Sequence, residues 1–222
     1  MKKIMFNDIY GLTQSVLEGR KTMTRRIIKA PRTMEGKDVY GFAIVTYKDG
    51  KVAEIMATDE DGAMINNILP KYKVGEVVAV AQNLRDMGYD ARDTKHRSGA
   101  IWGLDHTAAW TNKMFVSAAE CVHQIRITSI RAERLQDISD EDCFREGVQA
   151  VRIPKGWVYV AGGATIHNAN RKRIWSGEIE LSEKCAFDTP REAFAALIDN
   201  VTGKGTWESN PYVFVYHFEL YK

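Results

Sequence analysis

Residues Glu18–Ile28 read EGRKTMTRRII, placing Arg20, Lys21, Arg25 and Arg26 around Thr22 and Thr24 directly after an amphipathic segment. Upstream, Leu12, Val16 and Leu17 mark one apolar side of a short helix that begins near Gly11 or Thr13. Gly19 is the residue suited to a left-handed C-terminal cap, so the basic residues start at a helix exit. Thr22–Ile28 is rich in β-branched residues and is predicted as a strand. Its alternation puts Thr22, Thr24 and Arg26 on one face and Met23, Arg25 and Ile27 on the other, with Lys21 at the bend. A charge run is most often a solvated face, so the meaning of this one depends on the rest of the chain.

Downstream, Asp38–Thr58 reads as a hairpin, with VYGFAIVTY and KVAEIMA flanking a turn around Asp49-Gly50. Gly75–Gln82, within VGEVVAVAQN, is an apolar run expected of a central strand. Residues 83–113 lose periodicity and read as an irregular excursion, and HQIRITSIRAERL, 123–135, resumes as a strand. ISDEDCFREG is a compact helix in which Ser139 caps, Ile138 and Cys143 take the staple positions and Gly147 ends the helix. Between 151 and 181, WVYVAGG and IWSGEIEL flank a basic NANRKR turn and read as an inserted hairpin.

DTPREAFAALIDNVTG is a stronger helix. Thr189 caps it, Pro190 takes its first position, Glu192 completes the capping box, and Phe194, Leu197, Ile198 and Val201 form the apolar stripe. PYVFVYHFEL closes the chain as a strand covered on both faces. Without a regular strand–helix alternation a doubly wound sheet is not expected; the reading is α+β, a small β core decorated by short helices.

At 222 residues and 45% hydrophobic content the chain reads as one domain with insertions near 30–72, 83–113 and 151–184. Lys and Arg total 31 against 29 Asp and Glu, a net charge of +2, so nucleic-acid contact would have to come from a local patch. Cys121, Cys143 and Cys185 contain no C-x-x-C pair. Neither a disulfide framework nor a zinc site is indicated, no cofactor is expected, and a reducing cytoplasm fits. No stretch approaches the roughly 18 apolar residues of a membrane span.

Gly19, Lys21, Thr24 and Arg26 spell G-x-K-x-x-T-x-R, which resembles the signature of the ASCH family, part of the PUA-like superfamily of β-barrels. VGEVVAVAQN resembles the family's next barrel strand, and RITSIRAERLQDISDEDCFREGV its central strand and helix. GTWESNPYVFVYHFEL is similar to the closing segment of the longer, prophage-type members. The resemblance implies a PUA-like pseudobarrel with a basic cleft beside the first helix, used for RNA or for a nucleoside- or nucleotide-like ligand.

On chemistry alone, Lys21 and Arg26 can neutralise phosphate, and an Arg such as Arg25 or Arg26 adds a planar fork for a phosphate or base edge. Trp207, Asn210 and Tyr212 are candidates for a stacking surface with an amide, with core packing and turn structure as the equally weighted alternative.

A bacterial branch that the chain also resembles consists of amidohydrolases that remove the acyl group from acylated cytidine nucleosides with a Lys, a Thr and a Glu. By motif position these roles fall on Lys21, Thr24 and Glu146. The set is coherent: a base activates the Thr hydroxyl, a desolvated Lys beside Arg has a lowered pKa, and a carboxyl group shuttles protons. Glu146 also sits in the last helical turn, where the macrodipole disfavours a carboxylate. Cys121/His123, His217 and the Arg171–Arg173 turn are assigned no catalytic part. The chain is longer than the compact amidohydrolases, and its insertions would cover, reshape or extend the cleft.

Overall fold

β-Branched and aromatic runs build the central sheet of the computed structural model, which describes residues 1–93, 103–153, 156–161 and 186–222. In chain order its first elements are β1 (Lys3–Ile4), α1 (Leu12–Leu17), β2 (Met23–Ile27), β3 (Thr33–Met34), β4 (Lys37–Asp38), β5 (Gly41–Thr46), β6 (Val52–Thr58), β7 (Met64–Asn67) and β8 (Val77–Val80). Then come β9 (Gln124–Arg134), α2 (Asp140–Arg145), β10 (Gln149–Ile153), β11 (Gly156–Val160), α3 (Pro190–Thr202), α4 (Thr206–Ser209) and β12 (Tyr212–Leu220). The architecture is α+β, mostly strands with few helices.

Five strands form the main sheet in the order β1-β8-β9-β12-β2. β1 runs parallel to β8, and the remaining pairs are antiparallel. β9 and β12 are long enough to serve different neighbours along their length, and a register shift at His217/Phe218 lets β12 bend. The backbone ladder ends at β1 on one side and β2 on the other. Across that gap the Arg26 guanidinium donates to the Met5 carbonyl at 2.6 Å, tying the residue after β1 to the opposite edge strand.

Val78, Val80, Ile125, Ile127, Val213 and Val215 from this sheet share one core with Leu12 and Val16 of α1, Cys143 of α2, and Phe194 and Leu197 of α3. These helix residues recur at helical spacing, so each helix docks by one stripe. Ser139 caps α2 by accepting from the Asp142 N–H, and Thr189 with Glu192 forms the capping box of α3, as their local patterns predict. Ile138 and Cys143 are both fully buried.

β5, β6 and β7 make a separate three-stranded sheet. The Asp49-Gly50 turn falls where it was read, with Gly50 at φ 81°. The third strand and the small β3–β4 hairpin were not anticipated; they are too short to show a period. In the 83–113 excursion the described part holds two 3-10 turns, with a third starting at its end, and Leu104 and Ala109 of the first two join Ala79, Leu84, Val116 and Cys121 in a second small core.

WVYVAGG supplies β11, which pairs with β10 at 149–153 rather than opening the hairpin expected across 151–181. IWSGEIEL, the NANRKR turn with Arg171–Arg173, and Cys185 lie outside the described residues. Cys121 and Cys143 are free and buried. Among the described residues, no helix is long and apolar enough to cross a membrane.

Candidate functional site

The bend that follows α1 turns Lys21 inward. Gly19 adopts φ 70°, and the N–H groups of Arg20 and Lys21 both donate to the Ser15 carbonyl at 2.9 Å. The Thr22 N–H then donates to the Arg145 carbonyl at 3.0 Å, pinning the bend to the end of α2. From the other side, α2 stops at Glu146, and Gly147 leaves at φ 109°. A β-carbon on Gly147 would stand 3.0 Å from Leu12 Cδ2 and 3.7 Å from Lys21 Cδ, so glycine lets the two helix ends meet.

Where they meet, Lys21 Nζ donates to both the carbonyl oxygen and the Oε2 of Glu146, each at 2.6 Å. The residues stand 125 positions apart, and their side chains are only 2% and 5% exposed. A carboxylate at a helix C-terminus is unfavourable by itself. Here the same ammonium satisfies the helix-end carbonyl and neutralises the carboxylate, which accounts for the residue's position.

Arg25 holds the other carboxylate oxygen, its Nη1 donating to Glu146 Oε1 at 3.2 Å. Its remaining donors go to Glu133 Oε1, to Asp142 Oδ2 and to Met23 Sδ, so all five N–H groups have protein acceptors. Arg131 extends the chain of charges, donating to Asp142 Oδ2 at 2.6 Å, to Glu133 Oε2 at 2.7 Å and to His217 Nε2. Three carboxylates are thereby matched to Lys21, Arg25 and Arg131, as buried charges require.

Burial pushes the Lys21 ammonium below the ordinary lysine range, with Glu146 opposing the fall and Arg26 and Arg25 adding to it. For Arg25, burial alone would lower the value, but Glu146 and Glu133 outweigh it and hold the guanidinium up. Asp142 would be raised by burial, yet Arg25 and Arg131 hold it below the usual carboxylate range.

The ion pair forms one wall of a pocket of about 330 Å³. Lys21, Thr24, Arg25, Arg26 and Glu146 all line it. Phe194, Leu197, Ile198 and Val201 of α3 line it as well. The apolar stripe read from the sequence thus divides: Phe194 and Leu197 are buried in the core, whereas Val201 is 37% exposed and belongs to the pocket rim. Thr24 is 5% exposed, and its hydroxyl makes no hydrogen bond to a described residue. Lys21 is bonded to Glu146 and not to Thr24. Arg26 is exposed and, unlike Arg25, has donors to spare beyond its bond to Met5.

Phe6, with Met5, Asn7, Lys29 and Thr202, is a pocket residue that sequence reasoning missed. Its ring centroid lies 5.8 Å from Lys21 Nζ and 5.9 Å from Arg26 Cζ, a cation–π position for both. No motif marks it. Glu133 and Asp142, the carboxylates that hold Arg25, were equally unmarked.

The other predicted site residues lie elsewhere. Gly19 shapes the bend and does not line the pocket. Trp207 packs edge-on to Phe194 at 6.1 Å, its backbone N–H donates to Asp199 Oδ1 at 2.8 Å, and its carbonyl accepts from Gln136 Nε2. Asn210, at φ 43°, accepts from the Gln136 N–H at 2.9 Å through its side chain. Tyr212 carries the Arg134 guanidinium 3.9 Å above its ring. None of the three lines the Lys21–Glu146 pocket. Among the described residues no group of His, Cys, Asp and Glu side chains is arranged to hold a metal ion. In comparisons with family models, curated proteins and solved structures, none matches the chain.

Proposed function

We propose that the Lys21–Glu146 pocket recognises a nucleotide-like ligand, free or at an exposed position in RNA, as expected of a PUA-like ASCH protein acting in the cytoplasm. One observation carries the reading: Lys21, Thr24, Arg26 and Glu146 line a single pocket together with the apolar residues Phe194, Leu197, Ile198 and Val201. An apolar slot with a few convergent polar groups suits a planar base, and Arg26 at the mouth suits a phosphate or a base edge. The pseudobarrel reading is supported by the Arg26–Met5 bond, which draws the free edges of the main sheet together. Calorimetric titration with cytidine 5′-monophosphate and short single-stranded RNA tests the function. Arg26→Ala and Thr24→Val should each weaken binding, and equal affinity in wild type and the double variant would refute the reading.

A second reading, amide hydrolysis on acylated cytidine nucleosides, is favoured by a different observation. Lys21 is desolvated, carries a lowered pKa and is hydrogen-bonded to a carboxylate in the pocket that the Thr24 side chain also lines, whose hydroxyl has no described partner. Perturbed titrating groups in a pocket mark candidate acid–base sites. In this mechanism Glu146 takes up the Lys21 proton, and neutral Lys21 accepts the proton of Thr24 as its oxygen attacks the acyl carbonyl. Glu146 returns its proton to the departing cytosine amine as the C–N bond breaks, and water then cleaves the Thr24 ester to release the acid and restore the hydroxyl. Loss of the acylated chromophore would report turnover, which Thr24→Ala and Glu146→Gln should each cut by about a hundredfold. Turnover unchanged in Thr24→Ala would dismiss the covalent route.

A further inference from the structure

A second pocket, of about 380 Å³, adjoins the first across the Arg26 side chain, which lines both, as do Met5, Ile27 and Lys29. Its walls carry Lys3, Arg26, Lys29 and Lys71 and no carboxylate. Lys and Arg exceed Asp and Glu by only two in the whole chain, 31 against 29, so overall composition does not account for this cluster. Lys3 is occupied, its Nζ donating to the carbonyls of Lys113, Met114 and Val116. Arg26, Lys29 and Lys71 have no ion-pair partner among the described residues, and Arg26 has committed one donor to Met5.

Tyr216 supplies a fourth donor. It is 1% exposed, its hydroxyl accepts from the Lys71 N–H at 3.0 Å, and its own proton has no acceptor among the described residues. Tyr72 stands edge-on to it at 5.3 Å, with Lys71 Nζ 5.4 Å from the Tyr72 centroid. Burial pushes both phenols up, Tyr72 to about 12, so both keep their protons at neutral pH. Lys71 and Tyr72 lie at the end of the 30–72 segment.

We infer that this second pocket is a phosphate subsite, holding the phosphate of the ligand whose base end enters the Lys21–Glu146 pocket. A guanidinium fork, two ammonium groups and a phenol line one pocket that carries no carboxylate, a donor set suited to an anion rich in acceptor oxygens, and a phosphate monoester offers three such oxygens. The inference rests on the nucleotide reading above and makes the ligand a nucleotide rather than a nucleoside. It also assigns the phosphate to Lys29 and Lys71 in place of Lys21, whose charge Glu146 already neutralises.

Calorimetry at low salt with inorganic phosphate, cytidine, cytidine 5′-monophosphate and a short single-stranded RNA separates these claims. The monophosphate should bind wild type at least about tenfold more tightly than cytidine, and Lys29→Ala/Lys71→Ala should bring that ratio close to one. Both substitutions are at exposed positions, and thermal melting checks that the variant stays folded. Equal binding of monophosphate and cytidine by wild type, or a ratio that survives the double substitution, would overturn the subsite. Phosphate binding that is lost in the double variant, with no binding of cytidine at any concentration, would keep the subsite and overturn the nucleotide reading instead. RNA binding far tighter than the monophosphate, with a steep salt dependence, identifies a polynucleotide backbone as the source; equal binding identifies the free nucleotide.

Discussion

At Glu146 two requirements meet, because its backbone carbonyl ends α2 while its carboxylate is shared between Lys21 and Arg25. Removing one member of a buried pair strands the other charge, whereas removing Lys21 and Glu146 together strands neither and leaves Arg25 paired with Glu133 and Asp142. Glu146→Ala is therefore expected to cost about 3–5 kcal/mol in urea unfolding, and Lys21→Met/Glu146→Leu should recover most of that loss. A Glu146→Ala midpoint matching wild type would mean that the pair is solvated in solution. The same contact sets the titration of Lys21. Burial lowers its pKa and Glu146 partly restores it. Following the lysine side-chain carbons by NMR, Lys21 should lose its proton below the ordinary lysine range, and Glu146→Gln should move the transition lower still. An upward shift would show that desolvation does not dominate.

Local rules made the elements around the site readable, and their limits explain what was missed. Helix ends are decided by neighbours a few residues apart, so Gly19, Ser139, Gly147 and Thr189 could be placed from sequence alone. Glu146 stood out because it broke such a local rule. Its pairing with Lys21 was not legible from local pattern, since only the docking of α1 against α2 brings residues 125 positions apart into contact. The same holds for Phe6 and Glu133, which act through tertiary approach. Short pieces such as β3, β4 and β7 carry too few residues to display a period, and the 3-10 turns after residue 103 have none. Gly147 offers an element-level test. Gly147→Ala combines a φ of 109° with a 3.0 Å approach to Leu12 Cδ2, and strain of this kind costs about 1–3 kcal/mol. It should lower the unfolding midpoint and also weaken ligand binding, because the Lys21 stem lies 3.7 Å away. Thr189→Ala, at the distant cap of α3, should cost about 1 kcal/mol without altering affinity. Loss of binding in both variants would point to global unfolding instead of local displacement of Lys21.

Across the whole molecule, the charges form one connected path from the pocket to the β9–β12 surface: Lys21, Glu146, Arg25, Asp142 with Glu133, Arg131 and finally His217. The pH dependence of folding should be read along that path. Arg131 donates to His217 Nε2, so this nitrogen carries no proton. Burial and then the Arg131 charge push the imidazole below 6.5, with Asp142 opposing them and Arg145 and Arg25 adding smaller effects in the same direction as Arg131. Between the folded value and 6.5 the unfolded chain holds a proton that the folded chain does not, so stability rises with pH through that window and falls on acidification. Asp142 gives a second slope of the same sign. Its folded value lies below 3.8, so its contribution is present above that value and is lost as pH falls through the folded one. Thermal melting from pH 3 to pH 8 should therefore show two successive losses on acidification. Replacing His217 by Gln keeps an acceptor for Arg131 and removes the titration. His217→Gln should flatten the near-neutral limb while leaving the acid limb in place. A variant profile that retained both limbs would show that His217 takes up its proton without disturbing Arg131.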